Sequence, residues 1–166
     1  PCAIRYPNLP TSAPSGQVIK REPGRSELLA MGKDVLIIAL GHMCDTAMEV
    51  KEQLKSVGLD ATVLDPVFVK PLDDETLRKL LFTHHQIVTI EEHSIVGGLG
   101  SSVNRFLVRN GYSEVSVMNI GIPDCFVPHG GRGDILRDLE LTPEQITNRI
   151  TQNFDLKQKQ LSKVSK

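Results

Sequence analysis

The feature that most constrains the fold is a series of short apolar runs, each followed by a helical pattern. Residues 34–40, 60–65 and 86–91 are such runs, and residues 114–120 form a fourth. Each is too short for a buried helix and is bounded by glycine or polar residues, which predicts strands buried on both faces. Strands that alternate with helices predict an α/β fold in which helices cover both faces of a mostly parallel sheet, a three-layer sandwich.

The segments between the strands show helical spacing of their apolar residues. After the first strand these residues recur at steps of four and three, and Gly58 supplies the stop. Residues 134–139 and 143–154 are predicted as two later helices, the last with Thr142 as its N-cap. The apolar positions of the first three helices are Met43, Ala47, Val50, Leu54 and Val57; Leu77, Leu80 and Leu81, after a cap at Asp73 or Asp74; and Val103, Phe106 and Leu107.

The two ends of the chain differ in composition from its centre. Five of the ten prolines precede residue 24, which predicts an N-terminal strand and linker region over residues 1–32. In that region, residues 2–6 are the candidate edge strand. Residues 33–154 then form the α/β domain, and residues 155–166 form a flexible, Lys-rich tail.

Composition excludes several function classes. The net charge is -1, and no apolar run approaches the length of about 20 residues that a membrane helix needs, so neither nucleic acid nor a membrane is expected as a partner. Cys2, Cys44 and Cys125 form no CxxC pair, which indicates reduced thiols in a cytoplasmic protein. Because the sequence starts with Pro1 and not with an initiator Met, we expect the chain to be a piece of a longer polypeptide.

A glycine-rich loop separates the third strand from the following helix, and two interpretations of it stay open. Glycine allows close approach of a ligand, and the first N–H groups of a helix lack partners, so the loop is a candidate anion site. The spacing fits neither GxGxxG nor a P-loop, so the same residues also fit a tight turn. Both interpretations predict that Gly98→Val is damaging. The candidate residues are Gly97, Gly98, Gly100, Ser101 and Ser102.

Polar residues also follow the third and fourth strands, where open α/β sheets collect ligands. Glu91 and Glu92 are adjacent on a strand, so their side chains point to opposite faces and do not form one dyad. Glu91, Glu92 and His93 are expected to face a partner domain or solvent, in a contact role and not a chemical one. Asp124 and His129 are a candidate acid/base couple, but no nucleophile is placed beside them, so no triad is predicted.

Four segments taken together resemble a known family. AIRYP (3–7), VFVKPLD (67–73), TIEEHSIVGGLGSSV (89–103) and NIGIPDCFVPHG (119–130) occur in this order. They are similar to the C-terminal domain of the 1-deoxy-D-xylulose-5-phosphate synthase family, within the transketolase-like enzymes. The resemblance covers residues 1–153.

The resemblance implies a five-stranded sheet with one antiparallel edge strand. It implies that upstream domains of the same chain bind thiamine diphosphate and Mg²⁺, that the full enzyme is a homodimer, and that this piece holds no cofactor or metal and is inactive alone. The full enzyme would join pyruvate to glyceraldehyde 3-phosphate and release CO₂, for isoprenoid and thiamine biosynthesis. No catalytic residue is expected here. Arg5 would bind substrate phosphate, and Glu91, Glu92, His93, Asp124 and His129 would make inter-domain contacts.

Two positions depart from the family pattern. Asn8 and Val67 stand where the family tends to have arginine, which removes charged contacts from the substrate-phosphate region. Other interpretations remain open. The chain is alternatively a stand-alone module that binds an anion or docks on a partner, or the corresponding domain of a transketolase or of a 2-oxoacid dehydrogenase beta subunit.

Overall fold

The structure, a computed structural model, describes residues 1–4 and 20–164, with side chains as far as residue 153. Its centre is a five-stranded sheet in the order β1-β3-β2-β4-β5, in which β1 is antiparallel to β3 and every other pair is parallel. The strands are β1 (Glu27–Ala30), β2 (Val35–Ala39), β3 (Ala61–Asp65), β4 (Gln86–Ser94) and β5 (Ser116–Ile122); the helices are α1 (Met43–Ser56), α2 (Asp74–Leu81), α3 (Leu99–Arg109), α4 (Arg132–Asp138) and α5 (Pro143–Val164).

The continuous apolar run of β2 is explained by its two covered faces. Val35, Ile37 and Ala39 pack into the cluster that α1 and α5 share. Leu36 and Ile38 point to the other face, into the cluster of α2 and α3. Because successive side chains of a strand alternate between faces, a central strand with helices on both sides needs an apolar residue at every position.

The helical stripe predicted for α1 is confirmed over four of its five positions. Met43, Ala47, Val50 and Leu54 are all fully buried. Val57 was predicted to continue the stripe, and this is wrong: the helix ends at Ser56, and Val57 is 56% exposed. Its N–H bonds to the Leu54 carbonyl in the capping turn before Gly58, so its side chain leaves the buried face.

The boundaries of later elements differ more from the prediction. β5 is shifted by two residues towards the C-terminus, and α4 begins at Arg132. The last helix, predicted to end at residue 154, continues to Val164. The added residues contain neither Gly nor Pro and are rich in Lys, Gln and Leu, which favour helix. Among the described helices, none is both long and apolar enough to cross a membrane.

The antiparallel edge strand exists, but its predicted place is wrong. It was expected at residues 2–6, of which residues 5 and 6 lie outside the described part of the chain. The structure instead places it at Glu27–Ala30, inside the segment assigned to the linker, where Glu27 pairs with Asp65. Only four residues long and half-buried, β1 lacks the continuous apolar pattern of the central strands. The division into residues 1–32, 33–154 and 155–166 stays a prediction.

Asp73 ties the segment before β1 to the start of α2. Its carboxylate accepts hydrogen bonds from the backbone N–H and hydroxyl of Ser26 (2.9 and 2.8 Å) and from the backbone N–H and hydroxyl of Thr76 (3.0 and 2.8 Å). The predicted N-cap is thus confirmed. Burial opposes ionisation of Asp73, but these donors outweigh it and lower its pKa to about 2.

We expect Asp73→Asn to lower the free energy of unfolding by about 1 to 3 kcal/mol, because an amide cannot accept all four donors. The loss is measured by urea denaturation. Asp74→Asn, an exposed neighbour, is the matched control and is expected to cost under about 1 kcal/mol. An equal effect of the two changes would contradict the cap.

The same pair of variants tests a pH dependence. The pKa of Asp73 is lower in the folded state than its ordinary value of 3.8, so its stabilisation is complete above about pH 4 and is lost as the pH falls towards 2. The difference in stability between the unsubstituted chain and Asp73→Asn is therefore expected to shrink over that interval, followed by urea denaturation at each pH.

Candidate functional site at the carboxyl edge of the sheet

The predicted site residues gather where β4 and β5 end and where α3 begins. This is the edge at which parallel strands present their carboxyl ends, and we call it the carboxyl edge. The loops that follow β2, β4 and β5 form it, and they contain residues 40–42, 95–98 and 123–131 respectively. Two acidic side chains organise these loops, and they do so in different ways.

Glu91 is buried and binds the start of α3. Its carboxylate accepts hydrogen bonds from the backbone N–H of Leu99 (2.7 Å) and of Gly100 (2.8 Å), and only 1% of the residue is exposed. The first N–H groups of a helix lack partners within it, and the helix dipole is positive there. The chain therefore supplies its own anion to this helix end.

The glycines near this carboxylate are each required for a different physical reason. A Cβ atom built on Gly98 would lie 2.6 Å from the carboxyl carbon of Glu91, and one on Gly121 would lie 3.0 Å from its Cγ. A Cβ on Gly100 would meet the side chain of Asn119 at 2.7 Å. Of the loop glycines, Gly97 needs glycine for its backbone, with φ of +83°. Gly98 and Gly121 thus leave space for Glu91, Gly100 leaves space for Asn119, and Gly97 allows the turn.

The two serines of the loop are placed differently. Ser101 accepts a hydrogen bond from the N–H of Gly97 (2.9 Å) and donates one to the Ile95 carbonyl (2.9 Å), which closes the turn. Ser102 lies on the inner side of α3 and is 4% exposed.

Of the two interpretations left open by the sequence, the tight turn matches these contacts. The Glu91 carboxylate already binds the N–H groups of Leu99 and Gly100, so these two donors are not open to an exogenous anion, and an anion site at residues 97–102 stays a prediction. The expected inter-domain contact of Glu91 is corrected, because the side chain is enclosed within the domain.

Glu92 joins two other loops. Its Oε2 atom lies 2.5 Å from Nη2 of Arg132 and 2.5 Å from Nε2 of His42. Burial opposes ionisation of Glu92, but the hydrogen bonds and positive charge of Arg132 and His42 prevail and lower its pKa. The side chain is 16% exposed, so this ion pair is only partly shielded from water. Glu92 thereby fixes the start of α4 beside the start of α1.

The remaining predicted residues lie at the surface. His93, Asp124 and His129 are exposed, and His93 contacts the Ser94 carbonyl (3.1 Å). Within the described part of the chain, no hydrogen bond or ion pair joins Asp124 to His129, so the structure does not bring this couple together. Arg5 lies outside the described residues. Opposite faces for Glu91 and Glu92 were predicted correctly.

His42 and Arg132 are the residues of this cluster that the sequence did not reveal. His42 directly follows the β2 loop glycine, so the rule that ligands and polar groups collect at strand ends would have identified it. Arg132 comes from a Gly-rich segment 40 residues after Glu92. No spacing rule connects those two positions.

Val67, one of the departures from the family pattern, has an unusual backbone. Its φ is +57°, which is rare for a β-branched residue, and its N–H donates to Oδ1 of Asp65 (2.8 Å). Asn8 lies outside the described residues.

Comparison with known proteins identifies the family of this chain. Residues 24–146 match the family model described as transketolase, C-terminal domain. The chain therefore belongs to the transketolase C-terminal domain family, and the five-stranded mostly parallel sheet with one antiparallel pair is confirmed as the fold of that family.

Particular relatives narrow the resemblance. The chain is 51% identical over 159 residues to 1-deoxy-D-xylulose-5-phosphate synthase from Chlamydia muridarum (strain MoPn / Nigg). The matched residues cover 93% of this chain and 25% of that protein. It is 44% identical over 165 residues to the protein of that name from Chlamydia pneumoniae, covering 96% and 25%. The match lies in the C-terminal part of these relatives. The chain thus spans about a quarter of their length.

Solved structures agree. A structure titled "Split gene transketolase, inactive beta4 tetramer" is 35% identical with a TM-score of 0.74, covering 81% of this chain and 43% of that one. Transketolase from Campylobacter jejuni subsp. jejuni NCTC 11168 is 16% identical with a TM-score of 0.56, covering 80% and 20%, and shows the shared fold alone.

Gly98→Ala is expected to lower the free energy of unfolding by about 3 kcal/mol or more, because its Cβ overlaps the enclosed Glu91 carboxylate. Glu91→Gln is expected to cost about 1 to 3 kcal/mol, because the amide group leaves one N–H of α3 unpaired. Gly133→Ala is the control, since a Cβ there meets nothing within 4 Å. Thermal and urea unfolding measure all three. A neutral Gly98→Ala would contradict the packing described.

Proposed function

We propose that this chain is the C-terminal domain of a 1-deoxy-D-xylulose-5-phosphate synthase. The parent enzyme would condense pyruvate with glyceraldehyde 3-phosphate and release CO₂. The observation that carries the proposal is the 51% identity over 159 residues to a relative of that name, in its C-terminal part. The FVKPLD and EE-GGLGS segments, which first indicated the family, lie within the matched part of the chain.

Thiamine diphosphate would supply the carbanion chemistry of this reaction. The described residues of this chain offer no set of ligands for the cofactor's metal ion. Within the described ranges there is no group of three or more His, Cys, Asp or Glu side chains that could hold a metal ion, and the sequence has no GDG motif followed by Asn. Glu91 and Glu92 are already engaged by groups of the domain. In our proposal, domains upstream in the parent chain bind the cofactor and Mg²⁺.

The carboxyl edge is the surface that we propose for docking on those domains. The loop after β5 exposes Phe126 completely, and the neighbouring loop after β4 exposes 62% of Val96. Large apolar side chains exposed together mark interaction surfaces. Charged and polar neighbours, His93, Asp124 and His129, would form the rim of the contact. The homodimer and the cytoplasmic location of the parent enzyme, and the role of Arg5 at a substrate phosphate, remain predictions.

A second arrangement is favoured by one specific observation. The structurally similar protein titled a split gene transketolase shares 35% identity with this chain, which covers 43% of it. A domain of this family therefore occurs in a protein encoded by a split gene. In this alternative, the parent of our chain is a shorter subunit, and a separately encoded subunit supplies the cofactor-binding domains.

The activity of the parent protein tests the proposal. The complete reading frame, purified with thiamine diphosphate and Mg²⁺, is expected to form 1-deoxy-D-xylulose 5-phosphate from pyruvate and glyceraldehyde 3-phosphate, and the 166-residue chain alone is expected to be inactive. Product is measured by mass spectrometry and CO₂ release with labelled pyruvate. A complete parent that turns over a transketolase substrate pair, and not this one, would overturn the assignment.

A matched pair of variants tests the docking surface. Phe126→Ser in the parent protein is expected to lower the melting temperature and the activity, because it removes an apolar contact between domains. Phe82→Ser is the control: Phe82 is 84% exposed but follows α2 at the opposite edge of the sheet. Both side chains are exposed within the domain, so neither change is expected to unfold it. Equal effects of the two substitutions would refute docking through this edge.

A further inference from the structure

A polar cavity lies between α2 and α3, away from the carboxyl-edge cluster. Its volume is about 340 Å³, within the range of pockets that hold small ligands. The segment that leads into α2 closes one end, and the last turn of α3 lies at the other. Among the residues that line it are Lys70, Arg78, Arg105, Arg109, Ser102 and Asp74.

The cavity has an excess of positive charge. One lysine and three arginines line it, against the single carboxylate of Asp74. Arg105 and Arg109 are one turn apart on α3, an arrangement of like charges that destabilises a helix. Among the residues that the structure describes, neither forms an ion pair. An anion in the cavity would relieve this repulsion.

Arg78 is held in place on the opposite wall. Its guanidinium group donates a hydrogen bond to Oδ1 of Asn110 and lies 5.5 Å from the ring centre of Phe106. Phe106 in turn stacks on Tyr112, with ring centres 6.0 Å apart. A guanidinium fixed between an amide and an aromatic ring loses little freedom when it binds an oxyanion.

Ser102 provides an independent indication of a ligand. It lies in the first turn of α3, is 4% exposed, and lines the cavity. Within the described part of the chain, its hydroxyl group has no hydrogen-bond partner. The hydroxyl oxygen is not among the fully buried unpartnered atoms of the described residues, so it is reached through the cavity and is available to a ligand there in place of water.

We propose that this cavity binds the phosphate group of a small phosphorylated metabolite. Arginine forks match phosphate oxygens in pairs, and the Ser102 hydroxyl supplies a neutral donor. The volume leaves room for an organic group beside the phosphate.

Calorimetric titration of the complete parent protein, with saturating thiamine diphosphate, tests the site. The probes are glycerol 1-phosphate and inorganic phosphate. The double variant Arg105→Gln/Arg109→Gln is compared with Lys33→Gln/Lys55→Gln, which removes the same charge from exposed positions outside the cavity. In the parent and in the control we expect one saturable glycerol phosphate site per chain in addition to any binding at the site of the substrate phosphate. Binding in the arginine variant is expected to weaken at least about tenfold, because the loss of even one of the two charged contacts has an effect of that size.

Ser102→Ala separates a formed site from general attraction to positive charge, because it leaves the net charge unchanged. We expect it to weaken glycerol phosphate binding several-fold and to leave helix content unaltered. The proposal is overturned if no saturable site is found, if the lysine control weakens binding equally, or if inorganic phosphate binds and the ester does not. The readout is binding rather than turnover, so its outcome is independent of the synthase assay.

Discussion

The carboxyl edge depends on one interaction, the pairing of the Glu91 carboxylate with the first N–H groups of α3. A buried carboxylate is costly unless it is hydrogen-bonded, and the helix end provides two donors and a favourable dipole. The surrounding glycines follow from this choice, because Gly98 and Gly121 leave the space that the side chain fills. The Glu91 carboxylate thus binds backbone groups inside the domain, whereas the Glu92 carboxylate holds two surface loops together.

The sequence was informative where periodicity decides the structure. The central strands and α1 were predicted because a covered strand and an amphipathic helix each need a fixed apolar period. β1 was misplaced because four half-buried edge residues carry no such period, and the length of α5 was missed because its last turns follow helix propensity alone. At the carboxyl edge, the opposite orientations of Glu91 and Glu92 followed from strand geometry. Their partners depend on loops distant in sequence, to which no spacing rule applies.

The same glycine loop shows that a glycine motif has to be interpreted together with the group that accepts hydrogen bonds from the N–H groups of the helix end. Glycines before a helix indicate that something approaches the helix end closely, but the sequence leaves open whether that group is a ligand or a side chain. Here the preceding strand supplies it. The cavity between α2 and α3 shows the opposite case: its arginines are spread over two helices and carry no local signature, yet the fold brings them around one space.

The direction of β1 has a consequence for how the domain is attached. Because β1 runs opposite to β3, Glu27 lies beside Asp65, at the end of β3 where the carboxyl edge begins. The polypeptide therefore enters the sheet from the same side as the loops of Glu92 and Phe126, and Ser26 is anchored there by Asp73. A parallel first strand would have placed the incoming chain on the far side. With the carboxyl edge as the docking surface that we propose, the incoming chain and the contact would lie on one side, so a neighbouring domain would need only a short connection and the other end of the sheet would face outwards.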